Sequence, residues 1–447
     1  MIKEKLKILH ISANVGGGVG SVLYSYLKHT KSNESLSHEV ICLDYANEHF
    51  SKDVRELDLS LIDNVFKNNL MDEVYLKIAQ ADIVLCHWWD HPLIYNFLLD
   101  QNIPPCRLII WSHVSGLFAP YVYSEQLIDM SDYFVFTTPL SYDTKEIKNL
   151  SEDKKSKITT IWSVSDNTQF EDIIPIPHDG NNVLLTGTVD YGKLDSRYLE
   201  ICQSVKAENT NFIVCSGDSQ EEIKKEAENI KFANKFSFLG RVPDLKDYLS
   251  VADVFSYFLQ PLHFGSSEQS LTEAMLSQVT PVVFNNPTES YIVEDGVSGI
   301  VVKNKEGAVQ GIEFLLQNPI KRKEMGMCAK LRAKELASVE KNAHLWDRVF
   351  EKVIVMQKTK KRWGIESNLI NGHYLFVESL GEYGVDFNKY IYCKLMNDKV
   401  NLNDAILGIK KLFQSNPMFY SKSKGSVHQY LQFFPNDSYL KEWAKIL

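Results

Sequence analysis

A chain of 447 residues is longer than a single core usually supports and predicts two lobes. Its 44% hydrophobic and 23% charged content excludes a disordered chain, and a net charge of -9 excludes a general nucleic-acid binder while leaving room for a small phosphate pocket. Seven cysteines (Cys42, Cys86, Cys106, Cys202, Cys215, Cys328 and Cys393) stand singly with no C-x-x-C pair, which fits a reducing compartment. The opening MIKEKLKILHIS interleaves lysines with apolar residues unlike a signal peptide, and no apolar run nears membrane-spanning length. A cytoplasmic location is therefore expected.

From the amino terminus, short β-branched runs alternate with helical stretches: Leu6 to Ser12, His38 to Tyr45, Ala81 to His87, Arg107 to Val114 and Tyr133 to Thr138. This alternation predicts a parallel sheet covered on both faces, with ligands at the carboxyl ends of its strands. After a polar passage from Asp166 to Asn182 the pattern restarts at Val183 to Thr188, Asn211 to Gly217, Phe236 to Leu239, Ala252 to Phe258 and Thr280 to Phe284. Consecutive helices are expected from Gly307 to about Gln357, then an aromatic-rich helical tail to Leu447. The resulting division is a lobe over 1–170, a second lobe with closing helices over 171–357, and an extension over 358–447 with no assigned role.

The first strand runs into Asn14-Val15-Gly16-Gly17-Gly18-Val19-Gly20-Ser21, where missing Cβ atoms let backbone N–H groups approach an anionic or sugar ligand at a helix start. A tight turn without ligand and a dinucleotide site are alternatives; Gly16-x-Gly18 followed by Ser21 fits G-x-G-x-x-G poorly, although Asp44 closes the second strand. No P-loop occurs. In the second lobe a Gly/Ser turn, Gly265-Ser266-Ser267-Glu268-Gln269, opens a helix with Glu273 one turn on. Free N–H groups there suit a diphosphate, and a carboxylate suits ribose hydroxyls, though Ser270-x-x-Glu273 also reads as a capping box.

The second lobe resembles the retaining group 1, or family 4, glycosyltransferases. The carrying segments are Gly187-Thr-Val-Asp-Tyr-Gly-Lys193 for G-R-x-x-x-x-K-G, Leu239-Gly-Arg-Val242, Glu273-Ala-Met-Leu-Ser-Gln-Val-Thr-Pro-Val-Val283, and Asp295-Gly-Val-Ser-Gly-Ile-Val301. Looser matches in the first lobe include Ala81-Asp82-Ile83-Val84 before His87, Ser131-Asp132 before Phe134, and Asp166 to Phe170. The chain departs where Thr188 replaces the family's diphosphate arginine and Gly265 replaces the first of its two spaced glutamates. The string H-F-G-S-S-E-Q-x-L-x-E-A-M resembles a branch with H-Y-G-T-x-E-Q-x-L-x-E-A-M, so Glu268 or its neighbours are candidates for the missing contacts.

The resemblance implies an α/β, GT-B fold: two facing Rossmann-like doubly wound lobes, acceptor in the first and nucleotide sugar mainly in the second. It implies a retaining hexosyl- or N-acetylhexosaminyltransferase using a UDP- or GDP-sugar, with a saccharide or lipid-linked acceptor in surface polysaccharide or glycan synthesis. His113 and Glu268 are the catalytic candidates. Donor binding falls to Lys193, Thr188, Arg241, Gly265, Ser266, Ser267, Gln269 and Glu273, with Arg197 a substitute for the lost arginine. Gly16, Gly17, Gly18 and His87 are candidates for the acceptor or phosphate loop, with Trp88 and Trp89 read equally as a sugar platform or as core. On one regular helix Glu268 and Glu273 would project about 140° apart and divide the work. No cofactor beyond the nucleotide sugar is expected.

The chain has no Asp-x-Asp and no metal-ligand spacing, so metal-independent chemistry is expected. The basic helix Lys321 to Lys334 and the segment Lys358-Thr-Lys-Lys-Arg-Trp363 read either as solvated surface or as a peripheral contact with the inner membrane face. Three rivals stay open: a silent GT-B partner subunit, a sugar-nucleotide epimerase and an NAD-dependent enzyme.

Overall fold

A computed structural model describes residues 5–165, 168–217, 220–230, 233–363, 371–420 and 424–447. Asp166 and Asn167, which open the segment compared with the family's N-G-V-D, lie outside the described residues. The chain forms two compact units, one from Met1–Ser165 with Val339–Leu447 and the other from Asp166–Ser338.

The first unit holds a seven-stranded parallel sheet ordered β3-β2-β1-β4-β5-β6-β7. Its strands are β1 Leu6–Ser12, β2 Leu36–Cys42, β3 Ser60–Ile62, β4 Ile83–Trp88, β5 Leu108–Ser112, β6 Tyr133–Phe136 and β7 Ile158–Thr160. β4, β5 and β6 are buried at every position, which is why they read as continuous apolar runs rather than alternating ones. The strand order reverses between β1 and β4, the switch point where ligands bind in such sheets. The second unit repeats the plan in six parallel strands ordered β10-β9-β8-β11-β12-β13: β8 Asn181–Thr186, β9 Thr210–Cys215, β10 Phe236–Phe238, β11 Val254–Tyr257, β12 Thr280–Phe284 and β13 Ile300–Val302.

The grouping of Val339–Leu447 with the first unit differs from the division expected at 357, and packing explains it. The helix Val339–Ile354 places Trp346, Val349, Phe350 and Val353 in one apolar cluster with Ile8, Leu85, Trp111 and Val135 of the first sheet. The Trp346 and Trp111 rings meet edge-on at 4.9 Å between centroids. Losing such a buried ring costs about 3–5 kcal/mol.

The basic stretch after this helix is a strap. Thr359 makes an antiparallel bridge with Cys106, Lys358 donates to the Ala79 carbonyl at 3.1 Å, and Lys360 donates to the Ile103 carbonyl at 2.6 Å. Lys361 pairs with Asp132 at 2.5 Å, and buried Trp363 donates to Glu378 at 2.8 Å. Lys358, Lys360 and Lys361 are thus engaged with the protein itself. In the other basic stretch, within the helix Pro319–Leu336, Arg322 pairs with Asp253 at 2.5 Å and Lys334 with Glu171 at 2.6 Å.

Beyond the strap the extension is helical, at Gly372–Ser379, Val385–Met396, Lys399–Ser415, Val427–Phe433 and Ser438–Trp443. Phe376, Phe387, Phe413, Tyr430 and Trp443 build its core. It packs over the loop after β4: Tyr430 donates to Asp90 at 3.3 Å, and the Phe433 and His91 rings meet at 4.9 Å. Burial pushes the Asp90 carboxyl up to about 8. Trp88 and Trp89 are buried here, so of their two readings the structure supports core packing. Among the described residues, no helix is long and apolar enough to cross a membrane.

Candidate functional site

In the second unit the turn before the helix Gln269–Leu276 is built around one carboxylate. Glu268 takes a left-handed conformation, φ 40° and ψ 69°, which costs a residue with a Cβ about 1–2 kcal/mol. That conformation turns the side chain back over the loop instead of along the helix. The angular argument that separated Glu268 from Glu273 by a regular helix therefore does not apply; the cap residue lies outside the helical path. A Cβ on Gly265 would stand 1.5 Å from Glu268 Oε1, so glycine is required there for the carboxylate to fit. The position where the resembling family carries a glutamate is thus occupied in space by the carboxylate of Glu268, three residues on.

Lys193 holds the other oxygen. Its Nζ lies 2.9 Å from Glu268 Oε2, which also accepts from the Tyr257 hydroxyl. The Glu268 side chain is 1% exposed and that of Lys193 is 15% exposed. Lys193 also lies 5.8 Å from the Tyr257 ring centroid and 5.9 Å from that of Phe264. Its loop is pinned by the Leu194–Leu259 bridge and by Gln260 N–H donating to the Lys193 carbonyl at 2.9 Å. Burial alone would raise the Glu268 pKa, but contacts led by the Lys193 cation outweigh it and hold the carboxyl below its usual value.

His263 completes the cluster. Its Nδ1 accepts from Gly265 N–H at 3.0 Å and its Nε2 lies 3.1 Å from Glu289 Oε2. Burial disfavours the cation, whereas Glu289 and Glu268 pull the imidazole pKa upward. The Gly265 bond decides the ground state, since a protonated Nδ1 cannot accept; His263 is the neutral Nε2–H form donating to Glu289. Glu268 Oε1, 3.8 Å from His263 Nδ1, is buried with no hydrogen-bond partner among the described residues.

Around this cluster, Ser266 and Ser267 are buried in the turn, and Gln269 and Glu273 are half-buried on the helix. Gly187, at φ 106°, ends β8 against the helix; a Cβ there would stand 2.6 Å from Ser270 Oγ. Thr188 and Arg241 are exposed and stand outside the buried cluster, Arg241 reaching the vicinity of Gly217. Arg197, the suggested substitute for the lost arginine, is already paired with Asp195, through Nε at 2.8 Å and a terminal nitrogen at 2.7 Å.

In the first unit, Gly17 and Gly18 are exposed at the start of the helix Gly18–Thr30, whose amino end has no side-chain cap. A Cβ on Gly17 would meet nothing, whereas one on Gly16 would press on Asn47 at 3.2 Å. His87 is fully buried and reaches no ligand directly. It is one of four histidines in file: His38 Nδ1 lies 3.1 Å from His10 Nε2, His10 Nδ1 lies 3.1 Å from His87 Nε2, and His87 Nδ1 lies 3.0 Å from half-buried His113 Nε2.

Strand register produces this file. Ile8 is level with His38, Ser12 with His87, and His87 with Trp111. Crossing β2, β1, β4 and β5, each histidine therefore sits two residues further toward the carboxyl end, and a step of two keeps every side chain on one face. Sequence reasoning named His87 and His113 and missed His10 and His38. The available signal was that same parity, three histidines inside apolar strands plus one just past a fourth. Among the described residues, no group of three or more His, Cys, Asp and Glu could hold a metal ion.

Compared with known families, residues 166–332 match Glycosyl transferases group 1. No curated protein matches the chain. Among solved structures, the Anabaena Alr3699/HepE protein in complex with UDP and glucose superposes with TM-score 0.63 at 13% identity, over 78% of this chain and 100% of that one. A glycosyltransferase from Rickettsia africae gives 0.60 at 14% identity over 78% and 99%, and the sucrose-phosphate synthase of Thermosynechococcus elongatus gives 0.59 at 13% over 78% and 99%. The second unit thus carries the Glycosyl transferases group 1 match, and the chain has the GT-B fold.

Proposed function

We propose that this chain is a metal-independent, retaining glycosyltransferase that moves a sugar from a nucleoside diphosphate sugar to a saccharide or lipid-linked acceptor in glycan synthesis at the cytoplasmic side. The observation carrying this reading is the buried Lys193–Glu268 pair with one carboxylate oxygen unfilled, at the start of a helix inside the segment that matches glycosyltransferases. The complex of the Anabaena protein with UDP and glucose supports a nucleotide-sugar donor.

In this reading the sugar C1–O bond to the diphosphate breaks and a C1–O bond to the acceptor hydroxyl forms on the same face. The acceptor proton leaves on the departing phosphate oxygen. Lys193 and the backbone N–H groups of the 265–269 turn offset the charge that grows on the diphosphate, which stabilises the transition state more than the ground state. Glu268 Oε1 accepts from a sugar hydroxyl, and Glu273 binds the ribose. Thr188 and Arg241 line the nucleotide from the exposed rim; within the first unit, His113 meets a hydroxyl of the acceptor. No metal is needed if lysine and the helix start carry the diphosphate charge.

A protection screen with UDP, GDP and their sugars tests the donor, because a ligand that binds the native state raises the melting temperature. A shift with one nucleotide series and its loss in Lys193→Ala supports the site; no shift with any nucleotide removes the proposal. The silent-subunit reading has one observation in its favour, the exposed Thr188 in place of an arginine. It predicts binding without turnover, whereas an epimerase would convert the donor sugar without releasing nucleotide.

A further inference from the structure

The histidine file ends at Thr30, the last residue of the helix that follows the glycine loop. His38 Nε2 lies 3.3 Å from Thr30 Oγ1, so four links join Thr30, His38, His10, His87 and His113. A neutral imidazole has one N–H and one bare nitrogen, so four neutral rings supply one proton to each of four links only if all point the same way. Two arrangements satisfy that count. Either every ring is the Nε2–H form donating toward Thr30, or every ring is the Nδ1–H form and Thr30 itself donates to His38.

The hydroxyl of Thr30 has a single proton and decides between them. It lies 2.9 Å from the Tyr26 carbonyl, well inside donor range, and 3.4 Å from the Leu27 carbonyl. The proton goes to the shorter contact, leaving Thr30 Oγ1 an acceptor toward His38. We propose that Thr30, His38, His10 and His87 are positioning residues that form a one-way hydrogen-bond relay, fixing His113 as its Nε2–H form with a bare Nδ1. Any sugar hydroxyl that meets Nδ1 of His113 must then be the donor. This substrate contact rests on the glycosyl-transfer reading; the relay itself does not.

The surroundings favour neutral rings. The groups packed on the file are the Tyr26 ring, 5.6 Å from His38, the Trp111 ring, 5.4 Å from His87 and 4.7 Å from His113, and Trp89, 6.5 Å from His113. Trp346 reaches the file through Tyr26 and Trp111, and Asp347 acts on Tyr26. The charged group felt by His113 is the Lys424 cation, which opposes protonation. Burial depresses all four rings, His38 to about 4 and His113 to about 3. A proton added to His38, His10 or His87 would also make two N–H groups face each other across one link.

The test is long-range nitrogen–proton NMR of the full chain labelled in histidine, comparing wild type with Thr30→Val and Thr30→Ser. Wild type and Thr30→Ser should show all four rings neutral and protonated at Nε2 near neutral pH. Thr30→Val keeps the shape but removes the acceptor, so the file should reverse and His113 should carry its proton on Nδ1. Turnover should then fall about tenfold through kcat, with Thr30→Ser within about twofold of wild type. A wild-type His113 that is Nδ1–H or doubly protonated overturns the relay without reference to any variant. So does a Thr30→Val spectrum with unchanged tautomers. The spectra need no turnover, so failure of glycosyl transfer would leave the tautomer result standing.

Discussion

Two buried polar networks occupy the two units, and they differ in charge. In the first unit four imidazoles stay neutral by sharing one proton per link with no carboxylate among them. In the second, the Lys193–Glu268 ion pair offsets the cost of desolvation, and neutral His263 bridges Gly265 and Glu289. A neutral file transmits orientation, since each ring dictates the tautomer of the next. A charged cluster instead stores electrostatic potential, ready for a charge that develops on a ligand. In the proposed transfer reaction, a neutral file suits presentation of an acceptor hydroxyl and a charged cluster suits a diphosphate.

The largest expected effect breaks the charged network. Lys193→Ala should lower turnover by an amount corresponding to roughly 2–4 kcal/mol, as for loss of a transition-state donor; steady-state kinetics with an unchanged rate would remove Lys193 from the site. Glu268→Gln should lower kcat by about tenfold or more, and Gly265→Ala should do the same because its Cβ displaces the Glu268 carboxylate. Wild-type kcat in a folded Gly265→Ala protein would show that the carboxylate position does not matter.

Acid sharpens the comparison at the neutral network. The four histidine pKa values lie below the ordinary 6.5, His38 at about 4 and His113 at about 3. A depressed histidine favours the neutral form in the folded state, so its contribution is complete above 6.5 and lost as pH falls toward the folded value. Each ring adds about 1.4 kcal/mol per pH unit to that slope. Denaturant titrations between about pH 7 and pH 5 should show the fall, and His38→Gln should flatten it. A slope unchanged by that substitution contradicts burial of a neutral ring. Smaller still, Glu273→Gln should raise the donor KM a few-fold with kcat nearly kept, as for a contact present in ground and transition states alike. Chelation with EDTA should change activity least of all; its loss, with recovery on magnesium or manganese, would refute metal-independent chemistry.

The sheets were legible because their central strands are apolar on both faces. Of the three-residue strands, β10 was expected from its aromatic run at Phe236 to Leu239, whereas β3, β7 and β13 were not. The helical extension was legible from its aromatics, but its union with the first unit depends on tertiary contacts such as Trp346 on Trp111. The candidate turn was legible as Lys193 and Gly265 to Glu273, whereas Glu268 filling the space beside Gly265 depends on one left-handed residue that no sequence pattern announces. The histidine file needed strand register, which a single sequence does not supply.

The central claim is that the charged cluster serves transfer from a nucleoside diphosphate sugar. Its most direct measurement is release of nucleoside diphosphate from UDP- and GDP-sugars, with and without candidate acceptors, by wild type and Lys193→Ala in parallel. The account predicts release by wild type, accelerated by an acceptor that gains the sugar, and strongly reduced release by the variant. Binding without release from any donor, or equal release by both proteins, would contradict it.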